Sequence, residues 1–246
     1  MIYITGDTHR DFERIRQFCD NFDTTTDDIM IILGDAGINY YLDAGDEIKK
    51  DYLAKIPITL FCIHGNHEAR PESIPSYKEK MWHGGAVYCE DKYPNLLFAK
   101  DGEIYDLDGK KTIAIGGAYS VDKDYRLTFG WGWFADEQPS EEIKKRVEAA
   151  LESNNWKVDV VLSHTVPICY EPTEVFMKGI DQRKVDKSTE MWLGGIEYKL
   201  SYKKWYAGHY HTEKKVDKLE LMFTSIDEFA KELNREYDIT NIYDRI

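Results

Sequence analysis

The chain has 246 residues, 42% of them apolar and 31% charged, a balance that supports a packed core and argues against disorder. Lys and Arg number 32 against 45 Asp and Glu, for a formal charge of −13, which disfavours a protein that tracks long nucleic acid through its phosphates. Four widely spaced cysteines (Cys19, Cys62, Cys89, Cys169) form no C-x-x-C pair; they read as buried or half-buried thiols in a reducing compartment, neither a disulfide framework nor a thiolate zinc site.

Residues 1–7 carry neither a basic nor an apolar leader pattern, and no apolar run approaches the ~18–20 residues that span a bilayer. The expected location is the cytoplasm, away from membranes. In chain order, the first apolar run is 2–4, followed by Gly6-Asp7-Thr8-His9. Residues 11–22 then place Phe12, Ile15, Phe18, Cys19 and Phe22 on one helical stripe. The run 29–33 leads into Gly34-Asp35, and the run 58–63 into Gly65-Asn66-His67-Glu68. Such continuous short runs have the length of strands buried on both faces.

The middle of the chain reads differently. Short runs at 96–99, 103–107 and 112–115 are broken by Asp101-Gly102 and Asp108-Gly109, both hairpin-turn signals. Antiparallel pairs added to a parallel core are expected, in an α/β protein with mixed sheets. Residues 119–134 hold Tyr119, Tyr125, Phe129, Trp131, Trp133 and Phe134 among glycines and read as a loop over a site.

Ser140 is placed as the N-cap of a helix with Glu141 and Glu142 in its first turn and Ile143, Val147, Ala150 and Leu151 on its buried face. The run 158–162 ends in Ser163-His164. A second loop spans 170–198, with Met177, Met191, Trp192 and Gly194-Gly195. Its side chains fit either peripheral core or the apolar wall of a substrate pocket. The run 203–207 precedes Gly208-His209-Tyr210-His211, and Ser225 to Glu228 has the capping-box spacing ahead of Phe229, Ala230 and Leu233. There is no internal repeat or low-complexity linker, and residues 1–246 read as one domain.

Polar clusters at the carboxyl ends of buried strands are where open α/β folds place their sites. Asp7, His9, Asp35, Asn66, His164, His209 and His211 together offer two carboxylates, one amide and four imidazoles. That set suits two divalent cations ~3.5–4 Å apart, with an anionic group between them to offset their repulsion. Imidazole favours Mn, Fe, Zn or Ni and carboxylate accepts harder ions such as Mg; manganese is the first expectation. Singly, a Gly-Asp is usually a turn and a lone His usually structural; five clusters in this order point to a metal site. His83 and Cys62 fall outside the pattern and read as structural.

These blocks resemble the calcineurin-like metallophosphoesterases, whose signature runs Asp-x-His, Gly-Asp, Gly-Asn-His-Asp/Glu, His, Gly-His-x-His. The match covers about residues 1–212. The resemblance implies two packed β-sheets flanked by helices, a four-layer α/β/β/α sandwich with the site at the sheet edges. It implies that Asp7, His9 and His211 hold one metal and Asn66, His164 and His209 the other, with Asp35 bridging. It further implies hydrolysis of a phosphomonoester or phosphodiester by a hydroxide shared between the metals, with His67 as the catalytic imidazole and Glu68 as a group that orients loops or ligands.

One departure stands out: many members continue the second block to Gly-Asp-x-x-Asp-Arg, where this chain has Ile38 and Asn39. The Ser/Thr phosphoprotein phosphatase branch therefore fits poorly, and His67 lacks the usual carboxylate partner. Arg10, Arg70 and Arg126 are candidate replacements for the phosphate contact. The expected partner is a phosphate ester, a small molecule or nucleotide. Two alternatives remain: a nuclease acting on nucleotides or short nucleic-acid ends, and a non-catalytic scaffold that binds protein.

Overall fold

A computed structural model describes residues 1–233. Among the described residues thirteen strands form two mixed sheets. Strands β1 (Ile2–Thr5), β2 (Ile29–Ile32), β3 (Thr59–Cys62) and β6 (Leu96–Ala99) run parallel at the centre of the first. Antiparallel β5 (Gly85–Cys89) and β4 (Lys78–Trp82) extend one side, and β13 (Ile226–Glu228) closes the other. The second sheet runs β11 (Lys214–Val216), β12 (Leu219–Leu221), β10 (Lys204–Ala207), β9 (Val160–Ser163), β8 (Lys110–Ile115), β7 (Ile104–Leu107), with β12, β10, β9 and β8 parallel.

Period-two alternation explains why the central strands are apolar throughout. In β2 and just beyond it, Ile29, Ile31 and Leu33 face the other sheet and pack with Ala114, Val160 and Leu162. Met30 and Ile32 face outward onto Ile15 and Cys19 of α1 (Glu13–Phe22) and Leu53 of α2 (Ala44–Leu53). On the second sheet, Ile113, Ile115, Val161 and Trp205 pack outward against α4 (Glu141–Ser153) and α5 (Ser188–Lys199). The result is the four-layer sandwich anticipated from the sequence. Ser140 caps α4 by accepting from Ile143 N at 3.2 Å, and burial of Ile143, Val147 and Leu151 is worth ~1.5–3 kcal/mol each for full burial.

Several expectations are corrected. Residues 226–228 form strand β13, paired antiparallel with β1, so the S-x-x-E spacing does not start a helix there; pairing with the sheet edge outweighs the local cap. Helical geometry begins only at residues 231–233. Asp108-Gly109 does turn a hairpin between β7 and β8, with φ of 56° and 74°. Asp101-Gly102 instead crosses from the first sheet to the second. There the buried Asp101 carboxylate accepts from Gly116 N at 2.6 Å and Arg70 Nη1 at 2.5 Å.

The two segments expected as loops contain α3 (Lys123–Phe129) and α5. All four cysteines are free, and Cys169 is exposed rather than buried. Among the described residues no helix is long and apolar enough to cross a membrane. Residues 234–246 of the span read as one domain lie outside the described residues.

Candidate metal centre

The carboxyl ends of β1, β2, β3, β9 and β10 converge, and each delivers one of the polar clusters. The chain must turn sharply as it leaves each strand: His9, Asp35, His209 and His211 have φ of 45°, 47°, 67° and 49°. Four non-glycine residues in the left-handed region mark a strained segment held by its surroundings. Glycines permit the close approach. At Gly34 (φ 102°) an added Cβ would lie 2.0 Å from His164 Nδ1, and at Gly208 one would lie 2.2 Å from Asp7 Oδ1.

Three overlapping groups bring ligand atoms within 4.8 Å of one another: Asp7 with His9 and His211, His9 with Asp35 and His67, and Asp7 with Asp35 and His164. Asp35 is central. Its Oδ2 lies 3.9 Å from His9 Nε2 and 3.4 Å from His67 Nδ1, and its Oδ1 lies 3.6 Å from His164 Nε2. His211 Nε2 is 3.3 Å from Asp7 Oδ2 and 2.8 Å from His9 Nε2. Asn66 Oδ1 is 2.8 Å from His164 Nε2. The His209 ring is 5.0 Å from that of His164, and its backbone N–H donates to Asp7 Oδ1 at 3.0 Å. His209 belongs to none of the three groups, though it lines the same cleft.

The electrostatics favour ionised carboxylates in this set. Burial pushes the Asp7 and Asp35 carboxyls up, but the nearby imidazoles, His211 first for Asp7 and His164 first for Asp35, more than offset it, so both end below the usual range. Burial lowers His9 despite Asp35 and Asp7, and with His164 it lowers His209 to about 3. His211 is shifted the other way, raised by the neighbouring Asp7, so a metal, which requires ionised carboxylates and neutral imidazoles, would have to displace a proton there. Asp7 Oδ2 is buried without a hydrogen-bond partner among the described residues. Such an oxygen is costly to leave unmade, and a cation would satisfy it; the donor set fits metal ions.

His67 has partners that sequence reasoning missed. Its Nε2 is 3.8 Å from Asp122 Oδ1, and Arg126 Nη2 lies 3.3 Å from its Nδ1. Arg126 also donates from Nε to Asp122 Oδ2 at 2.8 Å. Burial opposes protonation of His67, but Asp35 and Asp122 win and raise it. Asp122 is pushed down to about 2, burial being outweighed by His67 and Arg126. Asp122 follows β8, which runs parallel to β9; the run 112–115 followed by Gly116-Gly117 carries the same signal as the five site-bearing strands.

The three candidate arginines part company. Arg10 is engaged by Asp46 and the Gly37 and Gly45 carbonyls, and Arg70 by Asp101 and the Asp136 carbonyl. Only Arg126 adjoins the centre. Glu68 is fully buried and accepts from Ala36 N at 3.2 Å, tying the loop after β3 to the loop after β2. His64, unremarked in the sequence, is buried with neither ring nitrogen partnered among the described residues. His83 sits in the β4–β5 turn with Nδ1 3.0 Å from the Asp106 carbonyl, and Cys62 is fully buried in β3, both outside the centre as expected.

Fold and site together define a two-sheet α/β sandwich with a candidate metal centre of Asp and His side chains at the strand ends. The family model for calcineurin-like phosphoesterases matches residues 1–219, and the chain belongs to that family. Membership makes it a hydrolase class that acts on phosphate esters. No curated protein matches the chain. Among solved structures it is similar to TT1561 of Thermus thermophilus, at 12% identity and a TM-score of 0.48 over 90% of this chain and 87% of that one. It is also similar to a phosphopantetheinyl hydrolase from Mycobacterium tuberculosis, at 14% identity and a TM-score of 0.43 over 95% and 91%. Likeness at that level carries no argument about substrate.

Proposed function

We propose that the protein hydrolyses a phosphate ester with two divalent metal ions, manganese first among the candidates. Asp7, His9 and His211 would hold one ion and Asn66, His164 and His209 the other, with Asp35 between them. The observation that carries this reading is the position of Asp35, whose two oxygens each face imidazole nitrogen at 3.4–3.9 Å. Bound there, the ions would polarise the phosphoryl oxygens and lower the pKa of water toward ~7.

The protein's own side chains supply the rest. His67 stands between Asp35 and Asp122 with its proton affinity raised, which suits it to give a proton to the departing ester oxygen. Asp122 takes the place of the missing carboxylate at Ile38, and Arg126 holds both Asp122 and His67 in position rather than gripping phosphate. Residues 119–134 and 170–198 form the substrate-facing wall of a single domain. The free thiols fit a reducing cytoplasm.

The test is hydrolysis of p-nitrophenyl phosphate and its bis ester by the metal-stripped protein, with and without Mn²⁺. Activity is expected only with metal and should vanish on chelation. Equal rates in stripped and loaded protein would sink the reading.

A further inference from the structure

Beside the candidate metal centre the cleft turns apolar. Its volume is about 210 Å³, and beyond Asp35, His67 and His209 its walls are Tyr119, Val175, Phe176, Met177, Ile180 and Val185. The scale suits a small organic group. Four carboxyl side chains also line it, Asp122, Glu171, Asp186 and Glu190; among the described residues no Lys or Arg does. Lys187 pairs with Glu171 at 2.7 Å and Arg126 with Asp122 at 2.8 Å, so an anionic ligand portion lodged there would find both cations already engaged and would meet Asp186 as like charge.

Glu190 is the telling residue. It lies on α5, 4% exposed, and its Oε1 accepts from Thr165 Oγ1 at 2.7 Å. Its Oε2 is buried without a partner among the described residues. Burial pushes its carboxyl up to about 7, so near neutral pH this oxygen can donate as well as accept. Apolar walls with one unsatisfied polar atom are the usual construction of a small-molecule site, the polar atom fixing orientation.

We propose that this cleft binds the organic half of the ester, selecting an uncharged or cationic, largely apolar group that offers one hydrogen-bonding atom to Glu190 Oε2. The inference rests on the phosphoesterase reading and narrows it: nucleoside polyphosphates and nucleic-acid ends are poor occupants because the group beyond the reacting phosphate would itself be anionic.

The experiment uses Mn²⁺-supplemented full-length protein and n-alkyl phosphates of one to six carbons, their ω-hydroxy and ω-amino counterparts, and ω-carboxy analogues. The value of kcat/KM is expected to rise about fourfold per buried methylene, with the carboxylates at least tenfold below the alkyl esters of equal length. A flat series, or preference for the carboxylates, overturns the proposal while leaving the phosphoesterase reading intact. Absence of hydrolysis of every ester, p-nitrophenyl phosphate included, overturns that reading instead.

A binding arm needs no catalysis. In metal-free protein the methyl signals of Met177, Ile180 and Val185 should shift saturably with 1-hexanol and stay in place with hexanoate. Shifts with neither, or with hexanoate alone, overturn the assignment. Glu190→Leu should abolish any preference for ω-hydroxy over plain alkyl esters, whereas Glu190→Gln should keep it; an unchanged preference in Glu190→Leu removes Glu190 from the site. Should Glu190→Leu fail to fold, Ile180→Asp, at a half-buried position, is expected to flatten the alkyl series at least tenfold, and an unaltered slope counts against the cleft.

Discussion

On one side of the cleft, Asp7, Asp35 and His164 sit almost fully buried at the ends of strands locked into parallel ladders. On the other, residues 168–184 pass through three short 3₁₀ turns and leave Val175 and Met177 41% and 54% exposed. The first wall is held on both faces by core and tolerates no change of volume; the second is held by contacts such as the Phe176–Tyr210 stack and the Lys187–Glu171 ion pair. On the proposed function, chemistry would sit on rigid elements and selectivity on a connection that can vary without disturbing it.

The sharpest break would come at Asp35. Asp35→Asn is expected to lower turnover at least ~10³-fold, beyond the 10–100-fold usual for outer partners of a metal site, and to release bound metal measurable by elemental analysis. Full turnover with metal retained would mean the rigid wall is not where the ions sit.

Gly34→Ala probes the same wall through its backbone. With φ at 102° and His164 Nδ1 2.0 Å from the new Cβ, a loss of ~3 kcal/mol or more is expected in urea unfolding. Gly109→Ala, at φ 74° with open space around it, should cost only about 1–2 kcal/mol. Equal losses would show that strain alone, not the crowding of the site, sets the cost.

Asp122→Asn lies between the walls. It should reduce kcat ~10–100-fold for esters with poor leaving groups and much less for p-nitrophenyl phosphate, with metal content unchanged. A uniform loss across leaving groups would assign Asp122 to packing.

Glu190 is probed through pH. Its folded carboxyl, raised from 4.5 to about 7, keeps its proton longer than in the unfolded chain. Stability from this group is therefore complete below about pH 4.5 and declines as pH rises through about 7, by up to ~3 kcal/mol. Thermal melts of metal-free protein should show this slope, and Glu190→Gln should remove it.

How much of this was legible follows from the same contrast. Strands buried on both faces announce themselves as apolar runs, so β1, β2, β3, β9 and β10 and the residues after them could be read directly. Strand β4, Lys-Glu-Lys-Met-Trp with four of its five residues exposed, has no such pattern, and neither it nor α2 was anticipated. β13 was mistaken for a helix start because Ser225 and Glu228 satisfy a local rule, while its partner Tyr3 lies 225 residues away. Asp122 was hidden because residues 112–115 were read only as half of a hairpin, although β8 also pairs parallel with β9. Local pattern reports burial well and reports partners poorly.

The pairing of β13 with β1 also sets an order of events during synthesis. Strand β1 delivers Asp7 and His9, yet one of its edges is covered only by residues 226–228. Until they leave the ribosome, strand β1 waits with an open edge available to other chains. The loop just before β13 is bound in the same step: Glu213 accepts from the backbone N–H groups of Phe223, Thr224 and Ser225, and Phe223 stacks on His211 at 4.6 Å. A nascent chain halted short of residue 226 would carry every residue of the candidate centre but not the segment that seals it.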